Sequence, residues 1–305
     1  MASRVRTPPA ESLPIPLTPT VEVWRAMSPE AKLDFQLRVI DALNAAAGAM
    51  GEGRPHKKAK TRTLDALGLH FKATGRAVYF AEGMPILYPG AAPFTPDILA
   101  VVDVVEPEED ERMSWVVADE GKGLDLVIEV LHKGERDKDL NENVERYASL
   151  GIPEYFVYDR LRYKLYGYRL AAQGARHYQP ILPQYGRYRS NVLGLDLSVL
   201  GARLRFLSGE AELPGSARLI DQLQTMVLGV EARAEQAEAE AAKARADAAW
   251  GRATGVLAVL RARGLPVSDA ARERILAEED TKRLDGWMEK AIVAASVDEL
   301  LGEGE

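Results

Sequence analysis

Two acidic residues sit where the surrounding strands do not need them. Asp97 follows Pro96 and opens the run Ile98-Leu99-Ala100-Val101-Val102, and Glu129 interrupts Leu124-Asp125-Leu126-Val127-Ile128-Glu129-Val130-Leu131. A carboxylate inside an apolar, β-branched run costs several kcal/mol unless something pairs with it. A divalent cation is the usual partner that makes two such acids tolerable together.

Side chains alternate along a strand. Asp97, Leu99, Val101 and Asp103 therefore share one face of the first run, and Asp125, Val127 and Glu129 share one face of the second. If the runs are antiparallel neighbours, Asp97 and Glu129 lie side by side. Asp125 and Glu129 are ~13 Å apart along their own strand, at ~3.3 Å per residue, which is too far to ligate one ion. Two hard oxygen ligands with room for water suit Mg²⁺ or Mn²⁺ rather than Zn²⁺. Such an ion lowers the pKa of a bound water and stabilises a phosphorane-like transition state. The plainer alternative is that Asp97 merely begins a strand and Glu129 faces solvent. The recurrence of an acid in two apolar runs that lead into a helix argues against it.

The densest basic stretch is Arg54-Pro55-His56-Lys57-Lys58-Ala59-Lys60-Thr61-Arg62. Its cations Arg54, Lys57, Lys58, Lys60 and Arg62 are suited to phosphate contacts, which bind without reading sequence. The alternative is a solvated helix face, but crowding cations at a helix N-terminus opposes the macrodipole and slightly favours function. His56 and His132 are not read as metal ligands, and the alternative role for either is a proton handler lining the site. Tyr147, Tyr155, Phe156 and Tyr158 read as core aromatics packing a helix on a sheet. No Gly-rich phosphate loop, Ser-His-Asp set or zinc spacing is present.

The elements around these residues can be read in turn. Residues 1–20 are Pro-rich and aperiodic, a flexible leader. A helix is expected after the N-cap Ser28 and Pro29, with Leu33, Phe35, Leu37, Ile40 and Leu43 as its apolar face. A second spans roughly Lys57 to Thr74 on Leu64, Leu67 and Phe71. Strand pieces follow at Ala77–Phe80 and Met84–Tyr88, then the two acid-bearing strands at 97–104 and 124–131 as an antiparallel pair. Asp139–Leu150 is a helix with Val144, Tyr147 and Ala148 inward, ended by a left-handed Gly151. Glu154–Asp159 and Lys164–Leu170 form a hairpin. The pattern gives an α/β domain over 21–210.

Beyond it the chain changes character. Ile220, Leu223, Val227, Val230, Ala234, Ala237, Ala241, Ala244 and Ala248 keep a heptad. This predicts a long helix over 216–262, a candidate coiled coil whose Ala half buries little area. Self-association through it is expected, and a fold-back onto the first domain is the alternative. Gly264-Leu265-Pro266 breaks the helix, and a small helical tail occupies 264–305. Ser268 and Ser296 are its N-caps, and Leu284, Trp287, Met288 and Ile292 are its apolar residues.

Taken in order, Pro96-Asp97, Leu124–Leu131, Asp139, Tyr147, Gly151-Ile152-Pro153-Glu154-Tyr155 and Val157-Tyr158-Asp159 resemble the Uma-two family of restriction endonucleases in the PD-(D/E)XK nuclease superfamily. The resemblance covers roughly residues 30 to 200. It implies a restriction-endonuclease-like core, a mixed sheet flanked by helices, and Mg²⁺- or Mn²⁺-dependent hydrolysis of DNA phosphodiesters. Asp97 and Glu129 match the family acids, and Glu52 loosely matches an additional helix-side acid. The superfamily lysine two residues past the Glu is here Leu131, and the family's displaced lysine falls on Asn143. Lysine would orient the attacking water and offset phosphate charge, whereas asparagine can only hydrogen-bond. Lys133 and Lys138 lie in the intervening loop and are further candidates. The rival expectation is a catalytically inactive nuclease fold used for DNA binding or oligomerisation.

Bulk composition is compatible with these readings. The 305 residues are 47% hydrophobic and 28% charged and contain no cysteine, which excludes disulfides and thiolate metal sites and suits a cytoplasmic location. No apolar run is long enough to span a bilayer. The net charge of −7 disfavours bulk nucleic-acid affinity but not a local basic strip.

Overall fold

In the computed structural model, which describes residues 14–47, 53–131 and 136–302, the β-branched and aromatic runs become strands and the Ala-, Glu- and Leu-rich runs become helices. A short helix α1 (Val21–Ala26) comes first, capped by the Thr20 hydroxyl, and α2 (Pro29–Ala47) follows with Ser28 accepting the Ala31 N–H. Next, α3 (Arg54–Thr74) starts three residues before the expected Lys57, because Pro55 fits a first helical turn.

Then come β1 (Val78–Glu82), β2 (Ile86–Leu87), β3 (Ile98–Val102), β4 (Trp115–Val116), a single-turn α4 (Val117–Glu120) and β5 (Leu126–Val130). A π-helical turn at Lys138–Glu142 opens into α5 (Asn143–Leu150), where one continuous α-helix was expected. Gly151 (φ +80°) closes α5 in the left-handed conformation that only glycine adopts freely. The hairpin β6 (Glu154–Asp159) and β7 (Lys164–Leu170) matches expectation, and β8 (Tyr178–Pro180) extends it. Four strands that the sequence reading did not resolve follow: β9 (Tyr188–Ser190), β10 (Leu195–Leu200), β11 (Arg203–Ser208) and β12 (Ala211–Glu212).

The main sheet is mixed, in the order β1-β3-β5-β6-β7-β8, with β5 and β6 parallel and the other pairs antiparallel. The parallel pair requires a crossover, which the π-helical turn and α5 supply. The second sheet runs β12-β11-β10-β9.

Strand β5 is buried on both faces. Leu126, Ile128 and Val130 pack with Leu67 and Phe71 of α3 and with Leu195, Leu197 and Phe206 of the second sheet. Val127 and Leu131 join Leu99, Val101, Tyr147 and Tyr155 on the opposite face. Each such side chain stabilises the fold by about 1.5–3 kcal/mol relative to exposure.

Buried Glu154 ties the sheets together. Its carboxylate accepts from Arg169 Nε at 2.7 Å, from the Ser190 hydroxyl and from the Asn191 N–H at 2.8 Å. The Glu of the Gly-Ile-Pro-Glu-Tyr segment is therefore a structural pin.

Three local expectations change. The buried face of α2 is Phe35, Val39 and Ala42, with Leu33 and Leu37 about half exposed, because the turn of the helix on Trp24 is set by Phe35. The C-terminal part of the presumed flexible leader is tied down: Thr18 is buried and exchanges backbone hydrogen bonds with Gly90 and Ala91. Ile292 lies past its helix and is exposed.

The chain divides into two compact units, Met1–Leu219 and Ile220–Glu305. Helix α6 (Ser216–Ala262) carries the heptad, and Ile220, Leu223, Val227 and Val230 along it are exposed. Only its last turns are covered: Ala249, Ala253, Val256 and Leu260 pack on α7 (Asp269–Leu276), α8 (Thr281–Ala291) and α9 (Val297–Leu301) through Ile275, Leu284, Trp287 and Leu300. Ser268 and Ser296 cap α7 and α9 as expected. Among the described residues no helix is long and apolar enough to cross a membrane.

Candidate active site

Strands β3 and β5 pair with Ile98 opposite Ile128 and Leu99 opposite Val127, so one further step sets Asp97 opposite Glu129. Each acid is held by the other's strand. The Asp97 N–H donates to Glu129 Oε2 at 3.0 Å, and the Val130 N–H donates to Asp97 Oδ2 at 2.8 Å. Glu129 is buried on the face that α5 covers, where the Tyr147 hydroxyl donates to its Oε1 at 2.7 Å.

Helix α3 closes the site from its N-terminal turns. His56 and Lys60 are one turn apart and therefore share a face. His56 Nε2 lies 3.0 Å from Asp97 Oδ1, Lys60 Nζ lies 3.6 Å from the same oxygen, and both side chains are buried.

The π-helical turn brings in a third acid. Asp139 is buried, Asn143 Nδ2 donates to its Oδ1 at 2.9 Å, and the Tyr155 hydroxyl donates to its carbonyl at 2.8 Å. Arg146 stacks over Phe94, 4.8 Å from the ring centroid, and donates to the Ala92 and Pro93 carbonyls. That contact fixes the loop leading into Asp97.

The electrostatics separate the two paired acids. Burial, then the like charges of Asp97 and Asp139, push Glu129 well above the usual carboxylate range, against the Tyr147 and Asp97 N–H hydrogen bonds. Burial also acts to raise Asp97, but the His56 hydrogen bond and charge, the Val130 N–H and Lys60 outweigh it and hold this carboxyl below its ordinary value. One carboxylate is thus held ionised beside a buried neighbour that resists ionising, the arrangement expected when two acids share one site.

The sequence-derived candidates divide as follows. Asp97 and Glu129 come together as their strand pairing required. Asn143 is buried beside Asp139 and its Nδ2 donates to that residue. Lys138 is exposed at the start of the π-helical turn. Glu52 and Lys133 lie outside the described residues. Of the basic stretch, Arg54, Lys57, Lys58 and Arg62 are exposed, as nucleic-acid contacts would need. Lys60 is not: it is 3 % exposed and turned onto Asp97, so it belongs to the acid site rather than to an outer basic surface.

The roles of Tyr147, Asp139 and Lys60 were not anticipated, and His56 was weighed only as the lesser alternative of a site-lining residue. A signal for the helix residues existed. Running the Leu67–Phe71 face of α3 backwards in helical steps gives Thr63, Lys60 and His56, all five of them buried. Two titratable residues on an inward stripe mark a site as clearly as acids in a strand do.

Among the described residues no group of three or more His, Asp or Glu side chains is placed to hold a metal ion. The donor set nevertheless fits Mg²⁺ or Mn²⁺, which keep several waters and need only one or two carboxylates. Asp97 and Glu129 would hold the ion. The resistance of Glu129 to ionisation is what a cation placed between them would relieve.

The sequence profile of the Uma2 family, described as "Putative restriction endonuclease", matches residues 46–200, beginning somewhat later than the resemblance read from the motifs. Among solved structures, the chain is similar to a crystal structure described as a putative nuclease belonging to DUF820 from Anabaena variabilis. The identity is 14%, 48% of this chain and 76% of that chain are covered, and the TM-score is 0.37. No curated protein matches. Because the profile takes in just over half of the chain and includes both paired acids, His56, Lys60 and Tyr147, the chain belongs to the Uma2 family.

Proposed function

We propose that this protein is a Mg²⁺- or Mn²⁺-dependent DNA endonuclease that hydrolyses phosphodiester bonds at the Asp97–Glu129 site. The observation that carries this reading is the pair itself: two carboxylates on adjacent strands, Glu129 buried and Asp97 largely so, with a lysine against one of them. Asp97 and Glu129 would hold the cation, which when bound would lower the pKa of a water and offset charge on the phosphoryl oxygens. Tyr147 and the Asp97 N–H fix the Glu129 rotamer, and His56 and the Val130 N–H fix Asp97. Lys60 supplies the positive charge that neither Leu131 nor Asn143 can give, and it offsets charge on the phosphate and orients the attacking water. In the reaction the water oxygen bonds to phosphorus, one ester P–O bond breaks, and the departing oxygen keeps the electron pair and takes up a proton. The exposed heptad of α6 supports self-association of the chain.

A second reading has a specific observation behind it. The two positions where a lysine is expected carry Leu131 and Asn143, and Asn143 is spent on Asp139. This favours a catalytically inactive nuclease fold that binds DNA or oligomerises. Incubating supercoiled plasmid with Mg²⁺ or Mn²⁺ separates the two. Nicking by the wild type that disappears in Glu129→Ala supports the nuclease. A folded protein that binds DNA but cuts with neither metal supports the inactive module.

A further inference from the structure

Outside the acid site, a concentration of positive charge lies on the other side of α3. A groove of about 440 Å³ runs between α3, the β10–β11 turn, β11 and the start of α6. Its cations are Lys58, Arg62, Arg160, Arg203, Arg205 and Arg218, against only two acids, Asp65 and Glu212. Both acids are already engaged. Asp65 Oδ2 accepts the Ser216 N–H at 2.7 Å, and Glu212 faces Arg203 at 3.9 Å and Arg205 at 3.4 Å. Lys58, Arg62, Arg160 and Arg218 form no ion pair with the described residues, and the Nε atoms of Arg160 and Arg205 are buried without a hydrogen-bond partner.

Gathering six cations around one groove is unfavourable unless an anion completes it, and this chain carries a net charge of −7. The elements that place them come from far apart in the sequence. Lys58 and Arg62 are one turn apart on α3, Arg203 and Arg205 alternate on β11, and Arg160 follows β6. The occupant that fits is a repeating anion. Several guanidinium groups and a lysine set along an open channel match a chain of phosphates better than a single compact carboxylate.

We propose that this groove binds the sugar-phosphate backbone of duplex DNA beyond the scissile phosphate, with Lys58, Arg62 and Arg218 as its exposed contacts. The proposal rests on the reading of the chain as a DNA endonuclease, since the DNA in the groove would be the DNA that is cut. Helix α3 links the two: His56 and Lys60 face the acids while Lys58 and Arg62 face the groove. A duplex tracked by the groove is thereby held at a fixed distance from Asp97 and Glu129. Such a contact contributes affinity and register, not sequence choice.

The test is fluorescence-anisotropy binding of a labelled DNA duplex to the full chain in EDTA, with salt varied from 50 to 200 mM. The variants are Lys58→Gln/Arg62→Gln/Arg218→Gln and a charge-matched control, Arg233→Gln/Lys243→Gln/Arg245→Gln, on an exposed stretch of α6. Each phosphate contact adds about 0.9 to the slope of log K against log salt, so losing three lowers the slope by about 2.7. The groove variant should show that drop and weaker binding at low salt, with an unchanged melting temperature, while the control keeps the wild-type slope. Wild-type slope and affinity in the groove variant overturn the proposal, as does an equal loss in the control, which would make the effect one of net charge. Because EDTA suppresses any cleavage, the outcome is independent of plasmid cutting. Binding lost in the groove variant of a protein that never cuts would sink the nuclease and keep the groove. Cutting with groove-independent binding would do the reverse.

Discussion

Replacing Glu129 by glutamine tests the electrostatics of the acid pair without removing its shape. Glu129 is 6 % exposed, and its two oxygens accept from the Tyr147 hydroxyl and the Asp97 N–H. An amide fits this slot. Its oxygen keeps the Asp97 N–H, and its NH₂ meets the Tyr147 hydroxyl, which turns from donor to acceptor. Burial and the like charges of Asp97 and Asp139 hold the Glu129 carboxyl well above its ordinary range, so the folded state prefers it protonated. The sign follows from that. An acid raised on folding contributes fully below its unfolded pKa of ~4.3 and loses its contribution as pH rises through the folded value. Two unit charges ~4 Å apart repel by about 4 kcal/mol at an effective dielectric of ~20, which sets the ceiling. Retaining the proton instead costs about 1.4 kcal/mol for each pH unit above the unfolded pKa, so the smaller of the two penalties applies. Glu129→Gln should therefore be about 1–4 kcal/mol more stable than wild type at pH 8 in EDTA, with the gap closing near pH 4. For a unit of this size that is about 2–4 °C in melting temperature per kcal/mol, readable by scanning calorimetry. Adding Mg²⁺ at a hundredfold excess over its Kd should then raise the wild type by about 2.7 kcal/mol and leave the variant where it was. A variant less stable than wild type at pH 8 without cation would refute the electrostatic argument. An equal Mg²⁺ shift in both proteins would refute Glu129 as a ligand.

Lys60→Met keeps the aliphatic stem and removes the ammonium beside Asp97. We expect plasmid cleavage to fall by about 10²-fold or more, the scale for losing one transition-state donor, while the Mg²⁺-induced rise in melting temperature persists; cleavage at the wild-type rate would exclude Lys60 from the chemistry. In α6, Leu223→Glu with Val227→Glu should convert a self-associated chain to monomer in light scattering, since each such apolar side chain withdrawn from a seam forfeits about 1.5–3 kcal/mol. An unchanged mass would remove the heptad from any role in association.

The sheet that carries the acids was legible because its strands obey simple rules. A period of two, proline at the entry and β-branched runs placed β3, β5 and β6, and the antiparallel pairing of β3 with β5 followed from their order. Gly151 and the serine caps were legible from local chemistry alone. The second sheet was not. Strands β9 and β12 are only three and two residues long, and their pairing is set by contacts such as Glu154 with Ser190 that span the sequence. The buried face of α2 was misread because alternate leucines looked apolar enough, whereas Trp24 on α1 decides which side is covered. In the site, strand acids stood out against apolar neighbours. His56 and Lys60 did not stand out in composition, because they are embedded in a basic run, and their signal was the helical spacing to Leu67 and Phe71.

On the proposed reading, the displacement of the lysine to position 60 has a physical explanation that composition hides. What phosphoryl chemistry needs is a positive charge at a point in space, and any backbone that reaches the point can supply it. At Leu131 that route is closed: the residue is 3 % exposed and packs with Val127 and Tyr147, so a lysine there would forfeit apolar burial. At Asn143 the side chain is drawn to Asp139, so the π-helical turn uses that position to satisfy its own acid. The N-terminal turns of α3 remain, and they already cross the mouth of the strand pair. A residue one turn beyond His56 reaches the same carboxylate oxygen, and Lys60 does so at 3.6 Å. Among the described residues the site gathers the acids Asp97, Glu129 and Asp139, with Lys60 against Asp97. It is more negative than one in which position 143 also carried a cation. On the proposed reading the same substitution that makes the chemistry depend on Lys60 also strengthens the pull on a divalent ion, which is why loss of Lys60 should separate cleavage from cation binding.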